Sequence, residues 1–166
     1  MTFELKSISK EAIPEALEKV ERYRLLNEPS QAESICLDIL RIDPENRQAL
    51  VWMLLSMTDQ FGEGVTARQA REVLPRLRSE YDRAYYSGII GERAAKAQMK
   101  QGGHGTDYSA YESIRAAMDC YERAEALRPA GNDDAVLRWN TCARILMRNP
   151  NLKPRPAEVF EPVLGE

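Results

Sequence analysis

The side chains that carry most enzyme chemistry are scarce in this chain of 166 residues. It has a single histidine, His104, so any site that needs two imidazoles is excluded. The three cysteines lie far apart and form no Cys-x-x-Cys pair: Cys36, Cys120 and Cys142. Neither a set of ligands at metal-site spacing, nor a phosphate-binding glycine loop, nor a nucleophile elbow is present. We therefore expect no catalytic site, no metal and no cofactor.

The cysteines fit better as small hydrophobic residues on buried helix faces. Their odd number and the lack of a secretory leader favour a reducing, cytoplasmic setting. The longest apolar run, 49–55, covers about a third of a bilayer span, so we expect no membrane-crossing segment. With 43% hydrophobic and 30% charged residues, the composition is typical of a globular protein.

The elements that must position these residues are helices. Apolar residues recur at spacings of three and four, and no segment alternates with the period of two that strands show. We expect an all-α fold with about seven helices, delimited by proline, glycine and capping residues: 10–27, 30–42, 44–60, 66–78, 79–101, 109–128 and 133–147. Pro75 should kink or shorten the fourth helix, because it removes a backbone donor.

Five of the predicted helices begin at a residue that is typical of an N-cap. Three of these residues have a glutamate or glutamine three positions later, which gives the form of a capping box. The predicted caps are Ser30, Asp43, Thr66, Ser79 and Ser109.

Two segments of the chain are similar in pattern, each with small, bulky and small or apolar residues at equal offsets before a proline. The first has Ala32, Cys36, Ile39 and Pro44, which align with Ala117, Tyr121, Ala124 and Pro129. The pattern resembles the second helix and terminal proline of a tetratricopeptide repeat (TPR). The run 139–142 is similar to the start of a TPR first helix. A third, weaker copy begins at Ala70 and lacks the closing proline.

The TPR resemblance implies a right-handed superhelix of antiparallel helix pairs, with about three repeats and a closing helix over residues 1–148. Residues 149–166 form a proline-rich tail, predicted to be extended, which either is disordered or docks Val159, Phe160, Val163 and Leu164 on the helices. The resemblance also implies a non-catalytic module that binds another protein or a peptide segment. It leaves the partner's identity and the oligomeric state open.

The partner is expected to lie on the first helices of the pairs, beside their core stripes. The candidate partner-binding residues are Leu17, Glu21, Arg24, Gln48, Val51, Leu55, Thr58, Tyr85, Ile89, Arg93 and Lys96. One TPR subclass grips a C-terminal carboxylate with Lys and Asn. The matching places here hold Leu17 and Glu21, which argues against that mode.

An alternative function rests on the basic segment 68–100. The chain carries a net charge of −3, yet residues 67–100 carry eight basic and four acidic side chains. This segment either attracts nucleic acid or another acidic partner, or forms a solvated face that pairs with acidic neighbours. Its tyrosines either stack on bases or pack between helices. Nucleic acid is the less favoured partner.

Overall fold

A computed structural model describes residues 1–157 of the chain, and these residues form an all-α fold. The prediction of about seven helices is confirmed. The α-helices are α1 (Ile13–Leu25), α2 (Pro29–Ile42), α3 (Arg47–Thr58), α4 (Ala67–Arg71), α5 (Glu80–Gln101), α6 (Thr106–Leu127) and α7 (Asp134–Arg148). Two short 3₁₀ turns, Lys10–Ala12 and Leu74–Arg76, precede α1 and follow α4. Within residues 1–157, no helix combines the length and hydropathy needed to cross a bilayer.

Two of the predicted caps are confirmed. Thr66 and Gln69 form a reciprocal capping box at the start of α4, and the Asp82 N–H donates to Ser79 Oγ at 3.2 Å. Both caps satisfy N–H groups that the first turn of a helix leaves without an intrahelical acceptor.

The other three predicted caps are wrong. Helix α2 begins one residue earlier, at Pro29, because proline suits a first turn that needs no donor. Asn46 rather than Asp43 caps α3, with its side chain accepting from the Ala49 N–H at 2.9 Å. Helix α6 starts at Thr106, three residues before Ser109, directly after a left-handed glycine.

Pro75 shortens the fourth predicted helix rather than kinking it. The α-helix ends at Arg71, and the chain continues into the 3₁₀ turn Leu74–Arg76. Proline offers no N–H to the carbonyl four residues earlier and disfavours the α conformation of the residue before it. The weak third copy of the repeat therefore lacks a full second helix.

Consecutive helices pack in pairs around two buried clusters. The N-terminal cluster gathers the inner faces of α1 to α4, including Val20 and Leu54. The C-terminal cluster gathers those of α5 to α7 around Tyr121. Leu55 and Tyr86 pack against both clusters, so the two halves share an interior.

The two aligned segments occupy equivalent positions in α2 and α6. Their three aligned residues before the proline are each at most 1% exposed in both helices: Ala32, Cys36 and Ile39, and Ala117, Tyr121 and Ala124. Residues that repeat in sequence therefore repeat in burial, as in a helical-repeat protein.

Helices α5 and α6 approach each other closely at Gly88 and Gly91. A Cβ atom placed on Gly88 would lie 2.5 Å from Cε1 of Tyr121, and one on Gly91 would lie 3.4 Å from Cβ of Ala117. The absence of a side chain at Gly88 is therefore what admits the Tyr121 ring between the helices.

The chain after α7 first returns to the helices. Leu152 is buried in the C-terminal cluster, and Asn151 Nδ2 donates to Asp107 Oδ1 at 3.0 Å. Residues 152–157 adopt no helix. The apolar tail residues named above, from Val159 to Leu164, lie outside the described residues.

Candidate functional site

The first helices of three consecutive pairs, α1, α3 and α5, meet around a cavity of about 400 Å³. The cavity, called the α1–α3–α5 cavity below, is lined by Arg24, Asn27, Pro29, Thr58, Asp59, Arg93 and Lys96. Four of these residues are predicted partner-binding residues: Arg24, Thr58, Arg93 and Lys96. The predicted face therefore contains a shaped and charged recess.

A carboxylate that directly follows α3 holds the arginines of this cavity in place. Arg24 donates to Asp59 through Nε at 2.6 Å and through Nη2 at 3.1 Å, and Arg93 Nη1 donates to Asp59 Oδ1 at 2.6 Å. The Arg24 guanidinium also lies over the Trp52 ring, 5.3 Å from its centroid, a cation–π contact. We call these contacts the Asp59 network.

A second ion pair joins α3 to α5 at the opposite end of α3. Arg47 donates to Asp82 through Nε at 2.6 Å and Nη2 at 2.8 Å, and Asp82 is only 2% exposed. The hydrogen bond to this carboxylate raises the pKa of Arg47 above its ordinary value. Helix α3 is therefore fixed to α5 at both of its ends.

A third carboxylate, Glu92, is completely buried between α5, α6 and α7. It accepts hydrogen bonds from Arg138 Nη1 at 3.2 Å, from the Tyr121 hydroxyl at 3.4 Å and from the Cys142 thiol at 3.6 Å. Lys96 Nζ lies 3.7 Å from its Oε1. We call these contacts the Glu92 network.

The neutral members of the Glu92 network keep their protons near neutral pH. Burial first, and then the Glu92 charge, raise the pKa of Tyr121 well above its ordinary value. The same two causes raise the pKa of the Cys142 thiol to about 12. Both groups therefore serve Glu92 as hydrogen-bond donors, and a buried carboxylate needs such donors to offset its lost hydration.

Three predicted partner-binding residues are buried. Val51 is 5%, Thr58 4% and Ile89 1% exposed, and the Thr58 hydroxyl donates to the Leu55 carbonyl at 2.8 Å. Helix α3 contacts α1, α2, α4 and α5, so it presents little surface to solvent. These three side chains therefore pack in the interior of the structure, and Thr58 also borders the α1–α3–α5 cavity.

The remaining predicted residues divide between packing and surface positions. Leu17 and Leu55 are half-buried against the N-terminal cluster, and Leu55 also touches the C-terminal one. Glu21 and Gln48 are exposed. These last two are accessible and lie on α1 and α3.

The tyrosines of the basic segment pack between helices. The Tyr85 ring stacks on Tyr81 with centroids 5.8 Å apart, and its centroid lies 5.9 Å from that of Tyr121. Asn132 Nδ2 donates to the Tyr81 hydroxyl at 3.2 Å. This arrangement confirms the packing interpretation of these tyrosines, including the predicted partner-binding residue Tyr85, which is half-buried.

Sequence reasoning missed Asp59, which organises the cavity. A usable signal was nevertheless present: the pairs Arg24–Asp59 and Arg47–Asp82 are each 35 residues apart, and Asp59–Arg93 are 34 apart. Opposite charges one repeat length apart lie on neighbouring first helices in a helical repeat.

The basic segment does not form one patch. Arg71 lines a cavity of about 450 Å³ between α5 and α6, whereas Arg76 and Arg78 line one of about 260 Å³ beside the start of α3. Arg93 and Lys96 line the α1–α3–α5 cavity. Five of the segment's eight basic side chains are therefore divided among three separate recesses.

Within the part of the chain that the structure describes, no three His, Cys, Asp or Glu residues are grouped so that they could hold a metal ion. A scan against protein-family models and searches of curated proteins and solved structures found no match.

Proposed function

We propose that this protein is a non-catalytic interaction module of the TPR type, which binds a segment of another protein on the face formed by α1, α3 and α5. The observation that carries this proposal is the α1–α3–α5 cavity, which combines side chains of three consecutive first helices. A surface shared by successive repeats is the usual binding surface of solenoid proteins.

The spacing of the ion pairs supports the TPR part of the proposal. A TPR is about 34 residues long, and the three pairs between α1, α3 and α5 join residues 34 or 35 positions apart. The recurring buried faces of α2 and α6 support it independently. The same proposal includes a reducing location such as the cytoplasm, which is supported by three cysteines that form no disulfide.

Nucleic-acid binding through segment 68–100 is the weaker proposal. A duplex or single strand is held by cations that follow its backbone. Five of the eight cations of this segment are divided among three separate recesses, and Arg78 is paired with Glu45.

The experiment is site-specific photo-crosslinking in the native cells. A benzophenone amino acid replaces Glu21 or Gln48 on the proposed face, and Leu37 or Asp119 on α2 or α6 as matched controls; all four positions are exposed. We expect one adduct of the same mass from both positions of the proposed face and none from the controls.

The contrary result is equally clear. Adducts that form only from Leu37 or Asp119, equally from all four positions, or from none of them would reject binding on the α1, α3 and α5 face. Circular dichroism of each variant checks that helicity is unchanged.

A further inference from the structure

We propose that the α1–α3–α5 cavity binds an oxyanion, a carboxylate or a phosphate group, carried on a side chain within the partner's peptide segment. This inference rests on the proposed function and specifies the chemistry of the segment. It concerns an internal side chain of the partner, not its terminal carboxylate.

The first argument is charge. The cavity is lined by three cations, Arg24, Arg93 and Lys96, and one carboxylate, Asp59. Lys96 faces Glu92, but that carboxylate also binds Arg138 from α7. The cavity and the ion pairs that extend from it therefore comprise four cations, Arg24, Arg93, Lys96 and Arg138, and two carboxylates, Asp59 and Glu92. An excess of positive charge in a partly desolvated recess attracts an anion more strongly than the same charge in open water.

The second argument is unused donors. A guanidinium has five N–H donors in a fixed fork. Arg93 donates to Asp59 through Nη1 alone, and Arg24 through Nε and Nη2. Among residues 1–157, the N–H groups of Arg93 Nε and Nη2 and of Arg24 Nη1 have no acceptor. Arginine forks bind carboxylate and phosphate in the two-point geometry that these donors allow.

The third argument is order before binding. Asp59 and the Trp52 ring hold the Arg24 guanidinium, and Asp59 also holds Arg93. The side chains of Arg24 and Arg93 are 17% and 29% exposed, so both are packed along their length. A ligand therefore meets arginines whose rotamers are already restricted, which lowers the entropy that binding would otherwise lose.

The shape of the recess favours a peptide over a nucleic-acid strand. A cavity of about 400 Å³ accepts one or two side chains. Arg76, an exposed cation outside it, lines a different recess. One anionic side chain in a peptide fits such an isolated recess better than a continuous phosphate backbone does.

The test is calorimetric titration with three nonapeptides of identical Gly/Ser sequence, acetylated and amidated at their ends. Their central positions hold Glu-Glu, phosphoserine-Gly or Gln-Gln. We expect the Glu or the phosphoserine peptide to bind at least tenfold more tightly than the Gln peptide. Whichever of the two binds more tightly identifies the source of the oxyanion.

Two pairs of variants locate the binding. Arg93→Gln with Lys96→Gln should weaken the anionic peptide at least tenfold, whereas the matched control, Arg68→Gln with Arg71→Gln, should change it less than twofold. Lys96→Glu alone is a second cavity variant. It removes one cation of the cavity and leaves the ion pair between Arg93 and Asp59 intact. Thermal unfolding followed by circular dichroism verifies that each variant is folded.

The inference is overturned if neither anionic peptide binds, if the Gln peptide binds equally well, or if the control pair weakens binding as much as the cavity pair. It is also overturned if only a single-stranded RNA oligonucleotide binds in a manner sensitive to Arg93 and Lys96.

The same cavity variants in the crosslinking experiment separate the two proposals. If benzophenone at position 21 still crosslinks the partner after Arg93→Gln with Lys96→Gln, the proposal of an oxyanion site is wrong and the proposal of an interaction module is kept. If benzophenone at positions 21 and 48 forms no adduct in the otherwise unchanged protein, the proposed function itself is wrong.

Discussion

The Asp59 and Glu92 networks use the same chemical arrangement in two halves of the molecule. In each, one carboxylate lies near basic groups from two helices. The Asp59 side chain is 19% exposed and borders the cavity, whereas Glu92 is completely buried among Tyr121 and Cys142. The same ion-pair chemistry can therefore order the arginines of a solvent-accessible cavity in one half and fix the packing of three helices in the other.

The exposure of the two carboxylates sets how much each contributes to stability. Removing one partner from a buried ion pair leaves an uncompensated charge, and this is far more costly than the loss of a solvated pair. Water reaches Asp59, whose side chain is 19% exposed, but it does not reach Glu92. The predictions below use this contrast, beginning with the largest effect.

Glu92→Ala should lower the free energy of unfolding by about 3 kcal/mol, because Arg138 loses its buried partner and Tyr121 and Cys142 lose their acceptor. Urea unfolding followed by circular dichroism measures the change. Glu92→Gln, which retains an acceptor oxygen, serves as the control and should lose less. Equal stability of Glu92→Ala and the wild type would contradict a structural role for this network.

Gly88→Ala tests the tight packing around the same network. The new Cβ would lie within 2.9 Å of three atoms of the buried Tyr121 ring, so overpacking should cost about 2 kcal/mol. The matched control is Gly91→Ala, whose Cβ would have no contact shorter than 3.4 Å. It should be neutral or stabilising by up to about 1 kcal/mol, since alanine favours a helix more than glycine does. Thermal unfolding of both variants gives the comparison, and an equal loss in both would refute it.

Asp59→Ala should cost less than either change, about 1 kcal/mol, because water reaches the Asp59 carboxylate and, among residues 1–157, no buried hydroxyl or thiol depends on it as an acceptor. The difference between this variant and the wild type should shrink at high salt, which screens exposed charges. Urea unfolding at two salt concentrations measures both effects. A loss as large as that of Glu92→Ala would show that the two networks do not differ in this way.

The smallest expected effect is a difference in thiol reactivity between the halves. Burial raises the pKa of both Cys36 and Cys142 to about 12 from an ordinary value of 9.0. At pH 8 a disulfide reagent should therefore modify half-buried Cys120 first, and the other two thiols only when the fold opens. In the wild type Cys36 and Cys142 should react together; after Glu92→Ala, Cys142 should react first. Mass spectrometry of the labelled peptides measures the order, and unchanged order would count against separate roles for the networks.

The sign of the pH dependence follows from the same two thiols. The folded state favours the protonated thiol, whereas an unfolded chain ionises near the ordinary pKa. The contribution of Cys36 and Cys142 to stability should therefore be complete below about pH 9 and decline toward pH 12. Cys142→Ala should make that decline shallower.

The helical fold was largely predictable from local chemistry. The spacing of apolar residues predicted the helices, and the aligned segments predicted which faces of α2 and α6 are buried. Local competition between caps was harder to predict: Pro29 and Asn46 begin their helices in place of Ser30 and Asp43. Several residues in each stretch could cap a helix, and packing of the whole helix decides among them.

The candidate site was predictable only in part. Arg24, Arg93 and Lys96 were identified because they lie beside core stripes. Ile89 was expected beside the core stripe of its helix and is instead buried, because neighbouring helices cover the flank of that stripe as well. Asp59 lies just past the end of α3, where the spacing of apolar residues gives no information. Its only signal in the sequence is a charge opposite to those of Arg24 and Arg93, which lie 35 and 34 residues away.

The contact between Arg24 and Trp52 gives the molecule an internal optical reporter. The chain contains two tryptophans: Trp52 lies under a cavity arginine, and Trp139 donates to Glu122 at 3.0 Å in the other half. Indole emission responds to a nearby charge, so an anion that shifts the guanidinium will change the emission of Trp52 and leave that of Trp139 as an internal reference. Because the two indoles emit in the same range, Trp139→Phe leaves a chain whose fluorescence follows the cavity alone, without any attached dye.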